Sequence, residues 1–98
     1  MNDAREPRYR LQVPKRVLKT LQRQPQPTRQ RLKTAIFSLQ DDPFPPGDRH
    51  KRLAGTDPPV ERLRVGDYRV LYEVTEDEVW VIDIVHRRDL KRWVRTRA

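Results

Sequence analysis

Arginine is the residue type with the most chemistry to offer in this chain. The run Glu61-Arg-Leu-Arg-Val-Gly-Asp-Tyr-Arg-Val-Leu-Tyr-Glu-Val74 is followed by Val79 to Val85 and then by His86-Arg87-Arg88-Asp89. It sets arginines at Arg62, Arg64, Arg69, Arg87 and Arg88 beside one histidine, His86. A guanidinium forks onto two phosphate oxygens at once. Several converging on one phosphorus stabilise the extra negative charge of a pentacoordinate state. An RNA substrate carries its own nucleophile, the 2′-hydroxyl, so a protein has only to hold it in line and exchange two protons. An imidazole is the side chain suited to such exchange near pH 7, which makes His86 a candidate.

Other chemistries find little support. The 98 residues include no cysteine, which excludes a disulfide scaffold and a thiolate zinc site. The two histidines, His50 and His86, have no carboxylates at ligand spacing, so neither metal nor any other cofactor is expected. The three glycines are dispersed rather than gathered into a phosphate loop, and the single serine, Ser38, falls mid-helix. Lysine and arginine number 22 against 14 acidic residues, a formal charge of +8. That balance favours a polyanionic partner: nucleic acid, an acidic membrane surface or an acidic protein. The alternative is a solvated basic surface. No apolar stretch reaches the length of a membrane span, and the first residues lack a signal-peptide core. The expectation is a soluble cytoplasmic protein with no membrane role.

The elements that must position these groups follow from periodicity. Residues 1–7 read as a flexible arm. Arg8 to Val13 alternates, with Tyr9, Leu11 and Val13 on one side, as a first strand does. Pro14 suits the first turn of a helix carrying Val17, Leu18 and Leu21, which Pro25 and Pro27 then end. Thr28 is placed to cap a second helix, with Leu32, Ala35, Ile36 and Leu39 on one face and Asp41-Asp42-Pro43 closing it. Residues 41–59, rich in proline and glycine, read as a long surface loop anchored by Leu53.

From Val60 the period changes to two. Leu63 and Val65 point one way, Arg62 and Arg64 the other, and Gly66-Asp67 is a type II′ turn with glycine first. Tyr68, Val70, Tyr72 and Val74 then share a face, as do Arg69, Leu71 and Glu73. In the third strand Val79, Val81, Asp83 and Val85 alternate with Trp80, Ile82 and Ile84. It is apolar on nearly both faces, hence central or covered on both sides. A basic tail at 88–98, with Leu90, Trp93 and Val94 at helical spacing, completes the chain. The order is β-α-α-β-β-β plus a short helix: one α+β domain over 1–98, two helices packed on one face of an antiparallel sheet and the other face free for a site.

Each candidate has a plain structural alternative. Arg62 and Arg64 are alternatively solvated strand residues. Arg69 falls across from Arg64 or Arg62, where like charges oppose at a cost unless an anion sits between them, the alternative being a salt bridge to Glu73 or Asp83. Trp93 is a core anchor or a base-stacking platform. Lys51 and Arg52 steer phosphate or are simply solvated, and Arg64, Arg88 and Lys91 join them as RNA-binding candidates.

The segments Asp42-Pro43, Lys51-Arg52-Leu53-Ala54-Gly55, Arg62-Leu-Arg-Val-Gly-Asp-Tyr-Arg-Val-Leu-Tyr72 and His86-Arg87-Arg88-Asp89 together resemble the RelE/ParE superfamily, toxins of bacterial and archaeal type II toxin–antitoxin modules. The resemblance spans most of the chain and implies the RelE-like fold. Its RelE branch implies a metal-independent endoribonuclease that cuts messenger RNA in the ribosomal A site, leaving a 2′,3′-cyclic phosphate. By motif, Arg62 stands where a catalytic lysine or arginine is common. Arg69 matches the arginine that binds the scissile phosphate, and Arg87 the one acting at the leaving group. His86 matches a position often His or Lys. The implied partners are an acidic antitoxin protein, the messenger RNA and ribosomal RNA, and operator DNA reached only through the antitoxin. The ParE branch implies instead a poison of DNA gyrase, and a degenerate member would be a co-repressor that only binds its antitoxin. Three positions depart from the pattern: Val85 replaces a glycine, Glu61 an aromatic, and a tyrosine beyond the His-Arg-Arg motif is missing, with Trp93 nearby.

Overall fold

The hairpin at Gly66-Asp67 forms, with Gly66 at φ +58° and no positive φ at Asp67, as a type II′ turn requires. The computed structural model describes residues 8–97, so the arm expected at 1–7 lies outside the described residues. The elements are β1 (Arg10–Gln12), α1 (Lys15–Gln22), α2 (Gln26–Ser38), β2 (His50–Arg52), β3 (Glu61–Val65), β4 (Tyr68–Val74), β5 (Glu78–His86), a 3-10 turn (Arg87–Asp89) and α3 (Leu90–Arg97). They build the expected α+β fold. Val17 and Leu21 of α1, with Leu32, Ala35 and Ile36 of α2, pack on Leu63, Val70, Tyr72, Val79, Val81 and Ile84 of the sheet. Burying each such side chain contributes about 1.5–3 kcal/mol.

Several local expectations are corrected. Helix α2 begins at Gln26 rather than after Thr28, with Pro27 in its first turn, where a missing N–H costs nothing. Leu18 is 42% exposed, so the α1 stripe is narrower than its spacing implied. The stretch 41–59 contains a strand, β2, which pairs antiparallel with β3 and makes the sheet five-stranded, in the order β1-β5-β4-β3-β2. Strand β1 runs parallel to β5, so one pair in the sheet is not antiparallel. Leu53 is only half-buried.

The strand β5 is interior, between β1 and β4, which suits its two apolar faces, but its alternation is broken. The register steps from Leu71↔Asp83 to Tyr72↔Val81, leaving Ile82 as a bulge. Val79, Val81 and Ile84 therefore all face the helices, and Asp83 and Val85 face away. The bulge carbonyl is held by Arg16, whose Nη2 donates to Ile82 O at 2.6 Å.

Tyr72 fastens the long segment before β3. Its hydroxyl donates to Pro43 O at 2.6 Å in the buried layer. Burial, and secondarily the Glu61 carboxylate, push its phenol well above the ordinary tyrosine value. Tyr72→Phe should therefore cost about 1 kcal/mol in urea unfolding at neutral pH. Because the folded phenol stays neutral while the unfolded one ionises, wild-type stability should fall as pH rises past about 10, and the variant should lose this slope.

Candidate nucleic-acid interface

Residues paired across a ladder share a face, so the register decides which candidates meet. Arg64 lies directly opposite Arg69, Arg62 opposite Leu71, and Lys51 opposite Arg62. Val85 lies opposite Arg69. Lys51, Arg62, Arg64 and Arg69 therefore occupy one face, the one turned away from α1 and α2. Arg87 joins them from the end of β5, where its N–H donates to Asp67 O at 2.8 Å.

The cluster is electrostatically strained. Burial first, then repulsion from Arg62, Arg64 and Arg87, holds the Arg69 guanidinium below its ordinary value, with Asp67 opposing. Arg62 is lowered in the same way, by burial and then by Arg64. Neither Glu73 nor Asp83 relieves Arg69. Glu73 pairs with Arg97 at 3.6 Å, and Asp83 accepts from Trp93 Nε1 at 3.0 Å. Arg69 uses Nη1 alone, donating to Gly66 O at 3.0 Å and Tyr68 O at 2.9 Å. These two bonds aim the guanidinium while Nε and Nη2 bond no protein group among the described residues.

Two loops hold the neighbours. Arg62 Nη1 donates to the carbonyls of Asp48 and Arg49 at 3.2 and 3.1 Å. Asp48 and Asp67 stand at the rim. They reach Arg64 Nη2 at 3.4 Å and Arg87 Nε at 3.6 Å from carboxylates 75% and 67% exposed. Exposed pairs of this kind contribute at most about 1 kcal/mol, so an incoming phosphate can replace them.

The helix α3 lies across the remainder of this face, which the sequence had suggested was free. Trp93 anchors it through Asp83, and Arg97 sits 4.9 Å above the Trp93 ring while bridging to Glu73. Arg88 and Lys91 are exposed, and neither forms an ion pair among the described residues.

Besides Arg88 of the 3-10 turn and Lys91 and Trp93 of α3, His86 and Arg52 also lie outside the cluster. His86 pairs with Tyr68, which faces the helices, and the two rings meet edge to face at 5.5 Å. Its Nδ1 accepts from the Arg88 N–H at 3.2 Å, capping the 3-10 turn. Arg52 lies on the same face as Glu61, and its Nε donates to Glu61 Oε2 at 2.8 Å.

The residue that sequence reasoning missed is Glu61. Its side chain is 3% exposed and also meets His50 Nε2 at 2.7 Å, so it clamps β2 to β3 from the helix side. The signal was present: Glu61 has the parity of Leu63 and Val65 and therefore points inward. The rim carboxylates and the Asp48-Arg49 carbonyls sit in turns, where no periodicity marks them.

Comparison with known proteins bears on what this face serves. Residues 11–91 match the model of the ParE toxin of the type II toxin–antitoxin system parDE. A curated protein of Methanocaldococcus jannaschii, named as a RelE1 toxin, is 34% identical over 84 residues, covering 84% of this chain and 92% of the relative. The archaeal RelE–RelB complex from Pyrococcus horikoshii OT3 superposes with a TM-score of 0.71 at 30% identity, over 82% of this chain and 96% of that one. The RelB–RelE antitoxin–toxin complex from Methanococcus jannaschii gives 0.65 at 25% identity, over 84% and 96%. A hairpin that gathers its arginines on one sheet face, on this fold and with these relatives, identifies the chain as a member of the RelE/ParE superfamily, a RelE-like toxin of a type II toxin–antitoxin system.

Proposed function

We propose that this toxin is a ribosome-dependent endoribonuclease that cuts messenger RNA through the substrate's own 2′-hydroxyl. The observation that carries the reading is the juxtaposition of Arg64 and Arg69 across the hairpin, with Arg62 and Arg87 in Coulombic reach and the carboxylates of Asp48 and Asp67 held at the exposed rim. Like charges placed so are unfavourable in the free protein and become favourable when a phosphate lies among them. In this reading the 2′-hydroxyl gives its proton to water as its oxygen attacks the adjacent phosphorus, the bond to the 5′-oxygen breaks, and that leaving oxygen takes a proton from water. The products are a 2′,3′-cyclic phosphate and a 5′-hydroxyl.

Arg69 receives the scissile phosphate on its unbonded nitrogens, and Arg62, fixed by two carbonyls, lies beside it. Arg87, tethered only by an exposed aspartate, serves the leaving oxygen. Lys51 and Arg64 extend the contact to neighbouring phosphates. A guanidinium gives up no proton in ordinary conditions, so its contribution is charge and alignment. The toxin acts in the cytoplasm, where an acidic antitoxin protein neutralises it; the relatives solved with RelB support that partnership. No helix among the described residues is long and apolar enough to cross a membrane.

The ParE family match supports a second reading, inhibition of DNA gyrase. Induced expression separates the two. The ribonuclease reading expects arrested protein synthesis with messenger RNA cut inside translated codons. Filamentation and a DNA-damage response with intact messenger RNA would select the gyrase reading.

A further inference from the structure

The arginine face does not end at β3. The strand β2 ends at His50↔Leu63, one more backbone bond joins Arg64 N–H to Arg49 O at 2.8 Å, and beyond it the outer edge of β3 opens into a groove of about 660 Å³ against α2. Arg31, Thr34 and Ala35 line it from α2, and Arg49, Arg64 and Val65 line it from β3 and the turn before β2. The lining holds no carboxylate. Arg31 and Arg49 form no ion pair among the described residues. Arg31 is also placed at the hairpin tip: a side chain at Gly66 would meet its Nη1 at 3.2 Å. On the other side of the same turn, Arg69 bonds the Gly66 carbonyl. Arg64, which also meets the exposed Asp48 carboxylate at 3.4 Å, belongs to both surfaces and links the sheet face to the groove lined by Arg31 and Arg49.

We infer that this groove is a second binding site, for the ribose-phosphate backbone of single-stranded RNA flanking the segment held on the arginine face. The inference rests on the RNA reading of that face. An acidic peptide is the other polyanion drawn to such charge. A peptide that folds on binding relies on apolar anchors in pockets, and this lining offers only Ala35 and Val65. A phosphate backbone needs charge and open access, and both are present.

The test is fluorescence anisotropy with fully 2′-O-methylated oligonucleotides, which cannot be cut, of about three and about ten nucleotides, a range spanning one to several contacts. The longer strand should bind wild-type protein about tenfold more tightly and with a steeper salt dependence. Arg31→Ala and Arg31→Glu should remove most of that gain. For the alanine variant the salt slope should fall by about 0.7, one phosphate contact on a single strand. Short-strand affinity and melting temperature should stay unchanged. Should Arg31 variants disturb the hairpin tip, Arg49→Ala, which removes only a loop side chain and keeps its carbonyl, should give the same pattern.

Long and short strands binding alike, or variants weakening both equally, would overturn the inference. So would variants that spare RNA binding and weaken an acidic antitoxin instead. Arg69→Ala in parallel separates the two readings. If it weakens the short strand while Arg31 and Arg49 variants change nothing, the groove fails and the arginine face stands. If it changes nothing while the Arg31 and Arg49 variants remove the length gain, the groove stands and the face fails. If wild-type protein binds neither strand, both fail.

Discussion

Arg69→Ala is expected to lower RNA cleavage by about 10²–10³-fold, the scale of removing one preorganised donor from a developing oxyanion, and to leave the protein as stable as before. The two halves of that expectation come from the same geometry. Arg69 faces Arg64 across the ladder and is repelled by Arg62 and Arg87, so its charge is a burden on the free fold. Removing it relieves that repulsion and forfeits only two bonds, to Gly66 O and Tyr68 O at the exposed hairpin root. These effects oppose, and the net change in unfolding free energy should stay within about 1 kcal/mol. Arg69→Lys keeps the charge and loses the fork, so its cleavage rate should fall between the alanine variant and wild type. Rates on a translated message, beside thermal melts, check both halves. A structural arginine would show the reverse pattern: lost stability and retained cleavage.

Glu61→Ala is expected to be the more damaging change to the fold. The carboxylate is buried and bonded on both oxygens, to His50 and to Arg52. Its removal strands a half-buried imidazole, whereas Arg52 is exposed enough to turn to solvent. The loss should be about 2–3 kcal/mol in urea unfolding, below the figure for fully buried pairs because one partner is already wet. Arg52→Ala should cost about 1 kcal/mol. The damage should also reach the site. The strand β2 carries Lys51, and the Asp48-Arg49 turn before it supplies the carbonyls that hold Arg62. Cleavage should therefore fall with stability in Glu61→Ala, and both should recover partly in Glu61→Gln, which keeps the shape and one bonded oxygen. A Glu61→Ala protein as stable as wild type would contradict the clamp.

The contrast between Arg69 and Glu61 also shows what the sequence made legible. The hairpin could be read because glycine stands first in a two-residue turn between alternating strands; it set Arg69 across from Arg64 or Arg62, and the register makes the partner Arg64. The apolar spacing of Leu32, Ala35, Ile36 and Leu39 marked the helix face equally plainly. The strand β2 could not be read in this way. It is three residues long, His-Lys-Arg, all polar, and it is held by a ladder and a carboxylate eleven residues away from its histidine. The bulge at Ile82 was hidden for a different reason. Both faces of β5 are apolar, so a shift of one residue leaves no trace in the pattern, yet it moves Asp83 to the side where Trp93 meets it. His86 illustrates the limit of motif reading. Adjacency to Arg87 in sequence suggested a shared site, but the pleat sends the histidine to Tyr68 and the far face.

Whether the arginine face handles a phosphate of RNA is decided by adding purified protein to a translating extract and analysing the termini of the broken message chemically. New fragments should end in 2′,3′-cyclic phosphate and begin with 5′-hydroxyl, lie within codons being translated, and be absent with Arg69→Ala. An intact message under wild-type protein, or the same fragments at the same rate under Arg69→Ala, would contradict it.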